Sequence, residues 1–215
     1  MTQPAAAPTP PDRPQIVLVT PAAFDPDAFA DPLAAVLDAV PVACLRLSLA
    51  SLDADSVTRA ADRLRAVAHA RDIPLVIARH VGLVRPLGLD GVHLEHGARG
   101  VREARKALGA DAIVGAFCGT SRHEGLTAGE AGADYVAFGP AGASPLGDGR
   151  RAEADLFAWW SEMIEVPVVA EGALGAATVA ALAPVTDFFA FGDEVWNAPD
   201  PVAALRGLAA ALDAG

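Results

Sequence analysis

Glycines follow two of the predicted strands, at points where the backbone could hold a phosphate group. The penultimate strand runs into Glu171-Gly-Ala-Leu174, and the last strand runs into Phe191-Gly-Asp-Glu194. Glycine allows backbone N–H groups to approach an anion closely, although a tight turn can need glycine for its conformation alone. The two carboxylates that follow the second glycine would repel an anion. The residues that this pattern predicts to bind phosphate are Gly172, Ala173, Gly192 and Asp193.

A long loop rich in glycine follows the sixth predicted strand, between Gly139 and Gly149. Such a loop could cover a bound ligand or hold a second anion, and a flexible connection is the alternative interpretation. Gly139 and Ser144 are the phosphate-binding residues predicted from this loop.

Polar residues within or just after apolar strands could take part in catalysis. Arg46 lies in the apolar run Ala43–Leu47, and a buried cation needs an anionic partner, either a ligand phosphate or a carboxylate. His93 shares a strand face with Glu95, although a lone strand histidine is more often a hydrogen-bonded core residue. A further polar cluster follows the fifth predicted strand. The predicted catalytic residues are Arg46, His93, Cys118 and His123.

Composition argues against several classes of function. The single lysine, Lys106, lies in a run typical of an exposed helix face, whereas a Schiff-base aldolase needs a desolvated lysine. A net charge of −11 opposes nucleic-acid binding, which depends on clustered Lys and Arg. Cys44 and Cys118 have neither metal-ligand nor disulfide spacing, and core packing is the role expected for each. No metal ligand is predicted from these residues.

Hydropathy and the amino-terminal residues indicate in which cellular compartment the protein is expected. No run approaches the roughly 18 uncharged apolar residues of a membrane span, and no basic segment leads into an apolar stretch at the amino terminus. We therefore expect a soluble, cytoplasmic protein that does not associate with membranes. An oligomer is compatible with the sequence.

Short β-rich runs alternate with segments of helical period from Ile16 onward. The predicted strands are Ile16–Thr20, Val42–Leu47, Pro74–Ala78, Gly91–Leu94, Ala112–Phe117, Tyr135–Gly139, Pro167–Glu171 and Asp187–Gly192. The predicted helices are 26–39, 53–71, 81–87, 99–108, 122–131, 152–164, 174–182 and 199–213. Asp-Pro pairs at 25–26, 31–32 and 200–201 are predicted helix starts, because proline is tolerated in the first helical turn.

The strands are near-continuous runs of apolar residues, which favours a parallel sheet covered by helices on both faces. Eight βα units in about 200 residues fit a closed (β/α)8 TIM barrel, whose phosphate sites often follow strands seven and eight. A doubly wound open sheet would place a glycine fingerprint after the first strand, where this chain has Pro21-Ala-Ala-Phe24. The sequence therefore predicts one α/β TIM-barrel domain at residues 15–215, behind a disordered leader rich in Pro and Ala at residues 1–14.

Four stretches of the chain resemble the thiamine-phosphate synthase family, which includes its relative TenI. They are Asp90-Gly-Val-His-Leu94, Val114-Gly115, Gly132-Ala-Asp-Tyr-Val-Ala-Phe-Gly-Pro140 and Pro167-Val-Val-Ala-Glu-Gly172. The resemblance implies a TIM barrel that couples hydroxymethylpyrimidine diphosphate with thiazole phosphate, assisted by Mg²⁺, to give thiamine phosphate and pyrophosphate. Small phosphorylated thiazole and pyrimidine ligands are the partners it implies.

Several positions depart from the family's pattern. Its strand-two Gln-Leu-Arg-Glu-Lys appears here as Cys44–Ser48, and its strand-three Asn-Asp-Arg appears as Ala78-Arg79-His80. Its Gly-Gln-Glu-Asp after strand four is replaced by residues 95–98, and its Thr-x-Thr-Lys loop by residues 143–146. Two Mg²⁺ carboxylates and two lysines are thereby missing, and Arg79 is expected to replace part of the lost positive charge. The predicted substrate-binding residues are Arg79, Glu95, Ser121 and Glu171.

The resemblance leaves a second function open, in which the chain is a TenI-like thiazole tautomerase or a non-catalytic binder of thiamine-related phosphates. A tautomerase needs one acid/base group near a bound thiazole phosphate, and His123 or His93 could serve. TenI's own acid/base histidine follows strand five, where this chain has Gly119. Mg²⁺ is expected only if the synthase reaction is retained.

Overall fold

Eight short runs of Val, Leu, Ile, Ala and Phe form the strands of the computed structural model, which describes residues 13–213. The strands are β1 Gln15–Val19, β2 Cys44–Leu47, β3 Leu75–Ala78, β4 Gly91–Leu94, β5 Ile113–Phe117, β6 Tyr135–Phe138, β7 Val168–Glu171 and β8 Phe188–Phe191. All neighbours pair in parallel in chain order, and β8 returns to β1 with Gln15 opposite Phe188. The predicted (β/α)8 barrel is confirmed.

The helices lie outside this barrel, and all but the last two connect successive strands. They are α1 Pro26–Ala39, α2 Ala54–His69, α3 Val81–Val84, α4 Val101–Leu108, α5 Arg122–Glu130, α6 Ala154–Met163, α7 Ala176–Leu182, α8 Asp193–Trp196 and α9 Pro201–Ala211. Asp25 and Asp200 cap α1 and α9 by accepting backbone N–H groups, as the Asp-Pro pairs predicted. The predicted start at Asp31-Pro32 is wrong, because Pro32 lies inside α1.

Helix α8 was not predicted from the sequence. It has only four residues, too few for a helical period to appear, and it follows Gly192 directly. Trp196 at its end donates from the indole Nε1 to the carbonyl of Val19, 2.6 Å away, at the end of β1. The helix is thereby fixed beside the mouth of the barrel.

Side chains alternate between the barrel interior and the helix layer along each strand. Val17, Ala137, Val169 and Ala190 fill the interior, while a larger core packs between strands and helices. Within residues 13–213, no helix has the length and apolar content to cross a bilayer. The predicted leader lies outside the described residues, except for Arg13 and Pro14.

Candidate functional site

Two adjoining cavities open at the carboxyl ends of the strands, where active sites of such barrels lie. One, of about 330 Å³, is bounded by β1, β2 and the turns after β7 and β8. The other, of about 460 Å³, lies towards β4 and β5. They share Arg46, Ser48, Leu146 and Glu171, so they are two lobes of one space over a common floor.

A buried ion pair forms that floor. Arg46, from β2, donates through Nη2 to Oε2 of Glu171 at the end of β7, and both side chains are almost fully buried. Burial disfavours the charged guanidinium, but Glu171 outweighs it, so the pKa of Arg46 is raised. The anionic partner that the sequence required for Arg46 is therefore a carboxylate of the chain itself.

His93, on β4, extends the same network towards the barrel axis. Its Nε2 lies 2.9 Å from Nη1 of Arg46, which can only donate, so Nε2 accepts and the proton is on Nδ1. Nδ1 donates to the hydroxyl of Tyr135, also at 2.9 Å. Burial, followed by the charge of Arg46, lowers the pKa of His93 well below its usual value. His93 is therefore a neutral histidine with both nitrogens engaged.

A glycine in the neighbouring strand makes room for Tyr135. A Cβ placed on Gly115 would lie 2.0 Å from Cζ of that ring, a distance that no side chain could tolerate. The tyrosine thus reaches the barrel axis only because β5 has a glycine opposite it. Burial raises the pKa of Tyr135, so its hydroxyl stays protonated.

The turn after β7 directs backbone groups towards the first lobe. Gly172 has φ +89° and Ala173 has φ +52°, so both lie in the left-handed region that glycine adopts most easily. A Cβ on Gly172 would lie 2.9 Å from Cα of Pro140, which also requires glycine there. Together with Gly192 and the exposed Asp193, these residues border the lobe as the sequence predicted for a phosphate site.

Glu194 binds two backbone amides of this region. Its Oε1 accepts from the amide of Leu174 at 2.8 Å, and its Oε2 accepts from the amide of Gly192 at 2.9 Å. These amides come from the turns after β7 and β8 respectively. We call the pair, with the Glu194 carboxylate between them, the amide cradle.

The glycine-rich loop after β6 covers both lobes through Leu146. The amide of Gly139 donates to the carbonyl of Gly119 at 3.1 Å, so it is not free for a ligand. Ser144 borders the first lobe, and its hydroxyl accepts from the amide of Leu146 at 3.2 Å. Of the two predicted phosphate-binding residues in this loop, only Ser144 borders the cavity.

Arg79 and Glu95 face each other across the ends of β3 and β4. Nε of Arg79 lies 3.3 Å from Oε2 of Glu95, and each side chain is about one third exposed, at 33% and 32%. Arg79 has φ +69° and donates through Nη2 to the carbonyl of Leu49. Glu95 borders the second lobe. Arg79 itself borders neither lobe, so the predicted cation is connected to the second lobe through the Glu95 carboxylate.

Three predicted residues near β5 lie away from the common floor. Burial raises the pKa of the Cys118 thiol to about 12, which disfavours the nucleophilic thiolate. The Ser121 hydroxyl caps α5 by accepting from the amide of Glu124 at 3.2 Å. His123 is exposed on α5 and borders a third cleft, which shares Glu95, His96 and Phe117 with the second lobe.

The side chains of the second lobe do not fit Mg²⁺. Glu95 and Glu171 are the carboxylates that border this lobe, and each is paired with an arginine. Over residues 13–213, no three His, Cys, Asp or Glu side chains come together as metal ligands. A hard cation such as Mg²⁺ favours free carboxylate oxygens, so these arginine-paired carboxylates are poor ligands for it.

Sequence reasoning missed three participants in this site. Tyr135 and Gly115 were identified as parts of strands, but not as a pair that meets in the barrel interior. Glu194 was considered only as a charge that repels anions. Its position two residues after Gly192 was the available signal, since a carboxylate at that spacing can reach back to a preceding amide.

Comparison with known proteins identifies a family for this barrel. Residues 16–190 match the family model described as thiamine monophosphate synthase. A thiamine-phosphate synthase of Rhodospirillum centenum is 43% identical over 196 residues, which cover 89% of this chain and 94% of that protein. Another, from Erythrobacter litoralis, is 34% identical over 166 residues, covering 75% and 78%.

Solved structures show the same fold at lower identity. Thiamine phosphate pyrophosphorylase from Pyrococcus furiosus superposes with a TM-score of 0.81 at 20% identity, covering 93% of this chain and 95% of that chain. (S)-3-O-geranylgeranylglyceryl phosphate synthase from Thermoplasma acidophilum, in complex with sn-glycerol-1-phosphate, gives 0.71 at 15% identity, covering 93% of each. At these identities the likeness concerns the fold alone.

Proposed function

Since the chain belongs to the thiamine monophosphate synthase family, we propose that it joins hydroxymethylpyrimidine diphosphate to a thiazole phosphate. The bond from the pyrimidine methylene carbon to the diphosphate oxygen breaks, and its electron pair leaves with pyrophosphate. The thiazole nitrogen supplies the pair for the new C–N bond. Thiamine phosphate and pyrophosphate are the products, and the barrel contributes positioning and electrostatic stabilisation.

The two-lobed cavity is the observation that carries this proposal. A coupling reaction needs two ligands side by side, with their reacting atoms in contact and water excluded between them. The lobes of about 330 and 460 Å³ offer adjoining space for two such ligands over the common floor of Arg46 and Glu171. Leu146, which borders both lobes, supplies an apolar wall at the point where the ligands meet.

We assign the thiazole phosphate to the first lobe. Its phosphate would contact the turn at Gly172 and Ala173 and the start of α8 after Gly192, where backbone N–H groups are concentrated. The hydroxyls of Ser48 and Ser144 border the same lobe and add hydrogen-bonding groups. This half of the site needs no charged side chain to hold its ligand.

We assign the pyrimidine diphosphate to the second lobe, next to Arg79. A guanidinium suits a diphosphate because its fork of N–H donors matches two oxygens at once. Its left-handed backbone at φ +69° is a strained conformation of the kind found at binding sites. Glu95 would have to give up Arg79 when the diphosphate binds.

The thiazole tautomerase alternative relies on His123 or His93 as the acid/base group, and neither borders the first lobe, to which we assign the thiazole phosphate. His93 is neutral and has both nitrogens in hydrogen bonds, so it has no free position for a substrate proton. His123 borders a cleft that adjoins the second lobe. The synthase reaction, which requires no proton transfer by a side chain in its coupling step, is the better match to the residues present.

Turnover of the two precursors tests the proposal. The full chain is incubated with both precursors and Mg²⁺, so that a metal carried by the diphosphate is not limiting, and products are followed by mass spectrometry. We expect thiamine phosphate and pyrophosphate in equal amounts, and neither when one precursor is omitted. Absence of thiamine phosphate from the complete mixture would overturn the proposal.

Two variants connect turnover to the proposed site. Arg79→Ala is expected to lower kcat roughly tenfold or more, since a cation that stabilises departing negative charge contributes about that much. Arg63→Ala removes the same charge from α2, where Arg63 is paired with Asp27 outside the barrel. It should change kcat less than about twofold, because exposed ion pairs contribute little. Equal effects of the two variants would contradict the role of Arg79.

A further inference from the structure

The Glu194 carboxylate lies where the first lobe offers backbone N–H groups to an anion. Its two oxygens accept from Leu174 and Gly192 at 2.8 and 2.9 Å, one amide from each of the two turns. A phosphate that used those amides would need its oxygens in the same positions. Carboxylate and phosphate therefore cannot occupy the amide cradle together.

Little else holds Glu194 in place. Among residues 13–213, no salt bridge includes the Glu194 carboxylate. The side chain is only partly buried and borders the open first lobe, so it can rotate towards solvent. Its displacement costs two hydrogen bonds, which an incoming phosphate can replace with its own acceptors.

We propose that the Glu194 carboxylate competes with the ligand phosphate for the two cradle amides. This competition sets how strongly the first lobe prefers phosphorylated to unphosphorylated ligands. This inference rests on the proposed function, because it takes the thiazole phosphate as the ligand of the first lobe. A phosphate must displace the carboxylate before it binds. The corresponding thiazole alcohol carries no anion, so it can occupy the lobe while Glu194 stays in place.

Glu194→Gln is the informative change. The glutamine side chain is uncharged, and it is a weaker hydrogen-bond acceptor than a carboxylate. The phosphate therefore meets less competition for the two N–H groups of the cradle. Thiazole phosphate should bind roughly 10- to 100-fold more tightly, the range for replacing hydrogen bonds to a charged group. Binding of the thiazole alcohol should change less than about threefold, because it does not compete for the amides.

Glu162→Gln provides a control of matched charge. Glu162 is exposed on α6 and borders neither lobe. Its replacement removes the same single charge by the same change of side chain. We expect it to change thiazole phosphate binding less than about threefold, since an exposed charge acts through water.

Calorimetry of the full chain with thiazole phosphate and with thiazole alcohol tests the proposal in the parent, Glu194→Gln, Glu194→Ala and Glu162→Gln proteins. Glu194→Ala checks that the gain comes from loss of the carboxylate, and thermal unfolding verifies that each variant is folded. Tighter binding of thiazole phosphate, but not of thiazole alcohol, by both Glu194 variants supports the proposed competition. Equal binding by the parent and the Glu194 variants overturns it.

The outcomes separate this inference from the proposed function. If the parent binds thiazole phosphate and the Glu194 variants bind it no better, the inference fails while the ligand assignment stands. If only the Glu194 variants bind it, the competitor is supported and the parent is not a thiazole phosphate enzyme under those conditions. If no protein binds it, both proposals are overturned.

Discussion

Glu171, at the end of β7, accepts a hydrogen bond from Arg46 on β2, across the interior of the barrel. Each residue is almost fully buried, and each is the other's compensating charge. An ion pair of this kind fixes the floor of the cavity. Because its two charges cancel, the floor has no net charge under either lobe.

Removing one partner should be far more costly than removing both. Glu171→Gln leaves the guanidinium buried without an opposing charge, and we expect the free energy of unfolding to fall by about 3 kcal/mol. The double variant Arg46→Met, Glu171→Met should lose less, because no isolated charge remains. Urea unfolding of the parent, Glu171→Gln and the double variant measures this. A Glu171→Gln loss below about 1 kcal/mol would show that the pair is not a buried ion pair in solution.

His93 should make the fold less stable as the pH falls. The folded state lowers its pKa well below the usual 6.5, so the unfolded chain takes up a proton near pH 6.5 that the folded chain does not. The stabilisation that comes from His93 being neutral in the folded state is complete above pH 6.5. It is lost as the pH falls towards the lowered pKa. Between pH 7.5 and 5.5 the loss should be about 1 kcal/mol.

The variant His93→Gln isolates this effect, since all other titrating groups remain. Its free energy of unfolding should be lower than the parent's at pH 7.5, and the gap should narrow by about 1 kcal/mol at pH 5.5. Guanidinium unfolding at the two pH values gives both numbers. A gap that stays constant would mean that His93 takes up its proton equally in both states.

Gly115 should tolerate no side chain. Gly115→Ala places a Cβ against the ring of Tyr135, and the forced shift should cost about 1–3 kcal/mol of stability. Gly207→Ala, in the interior of α9 with open space at its Cβ, should be neutral or stabilise by about 0.5–1 kcal/mol. Thermal unfolding of the two variants compares them directly. Equal stability for both would contradict the close approach of Tyr135 to β5.

The fold was predictable because every level of the sequence agrees with it. The eight strands lie within a few residues of the predicted runs, and their apolar character on both faces already required a covered parallel sheet. Helix α8 was missed because four residues after Gly192 give no period to detect. The predicted helix at 26–39 is correct, but Asp31-Pro32 was wrongly predicted as a helix start because proline in the second turn of α1 resembles one in the sequence.

The site was less predictable because its contacts join distant residues. The sequence showed that Arg46 needs an anion, but not that Glu171, on a strand across the barrel, supplies it. That partnership depends on how the sheet closes, which strand patterns do not specify. Glu194 illustrates a different limit, since its charge alone indicated repulsion of an anion, whereas its geometry shows occupation of the amide cradle.

Binding of thiazole phosphate to Ala173→Asp tests the central claim, that the turns after β7 and β8 hold the ligand phosphate. Ala173 is exposed beside the first lobe at φ +52°, a conformation that Asp tolerates, so the variant should fold. The account predicts one thiazole phosphate per parent chain by calorimetry, and binding at least about tenfold weaker in Ala173→Asp because of the added negative charge. No binding by the parent, or equal binding by the two proteins, would contradict it.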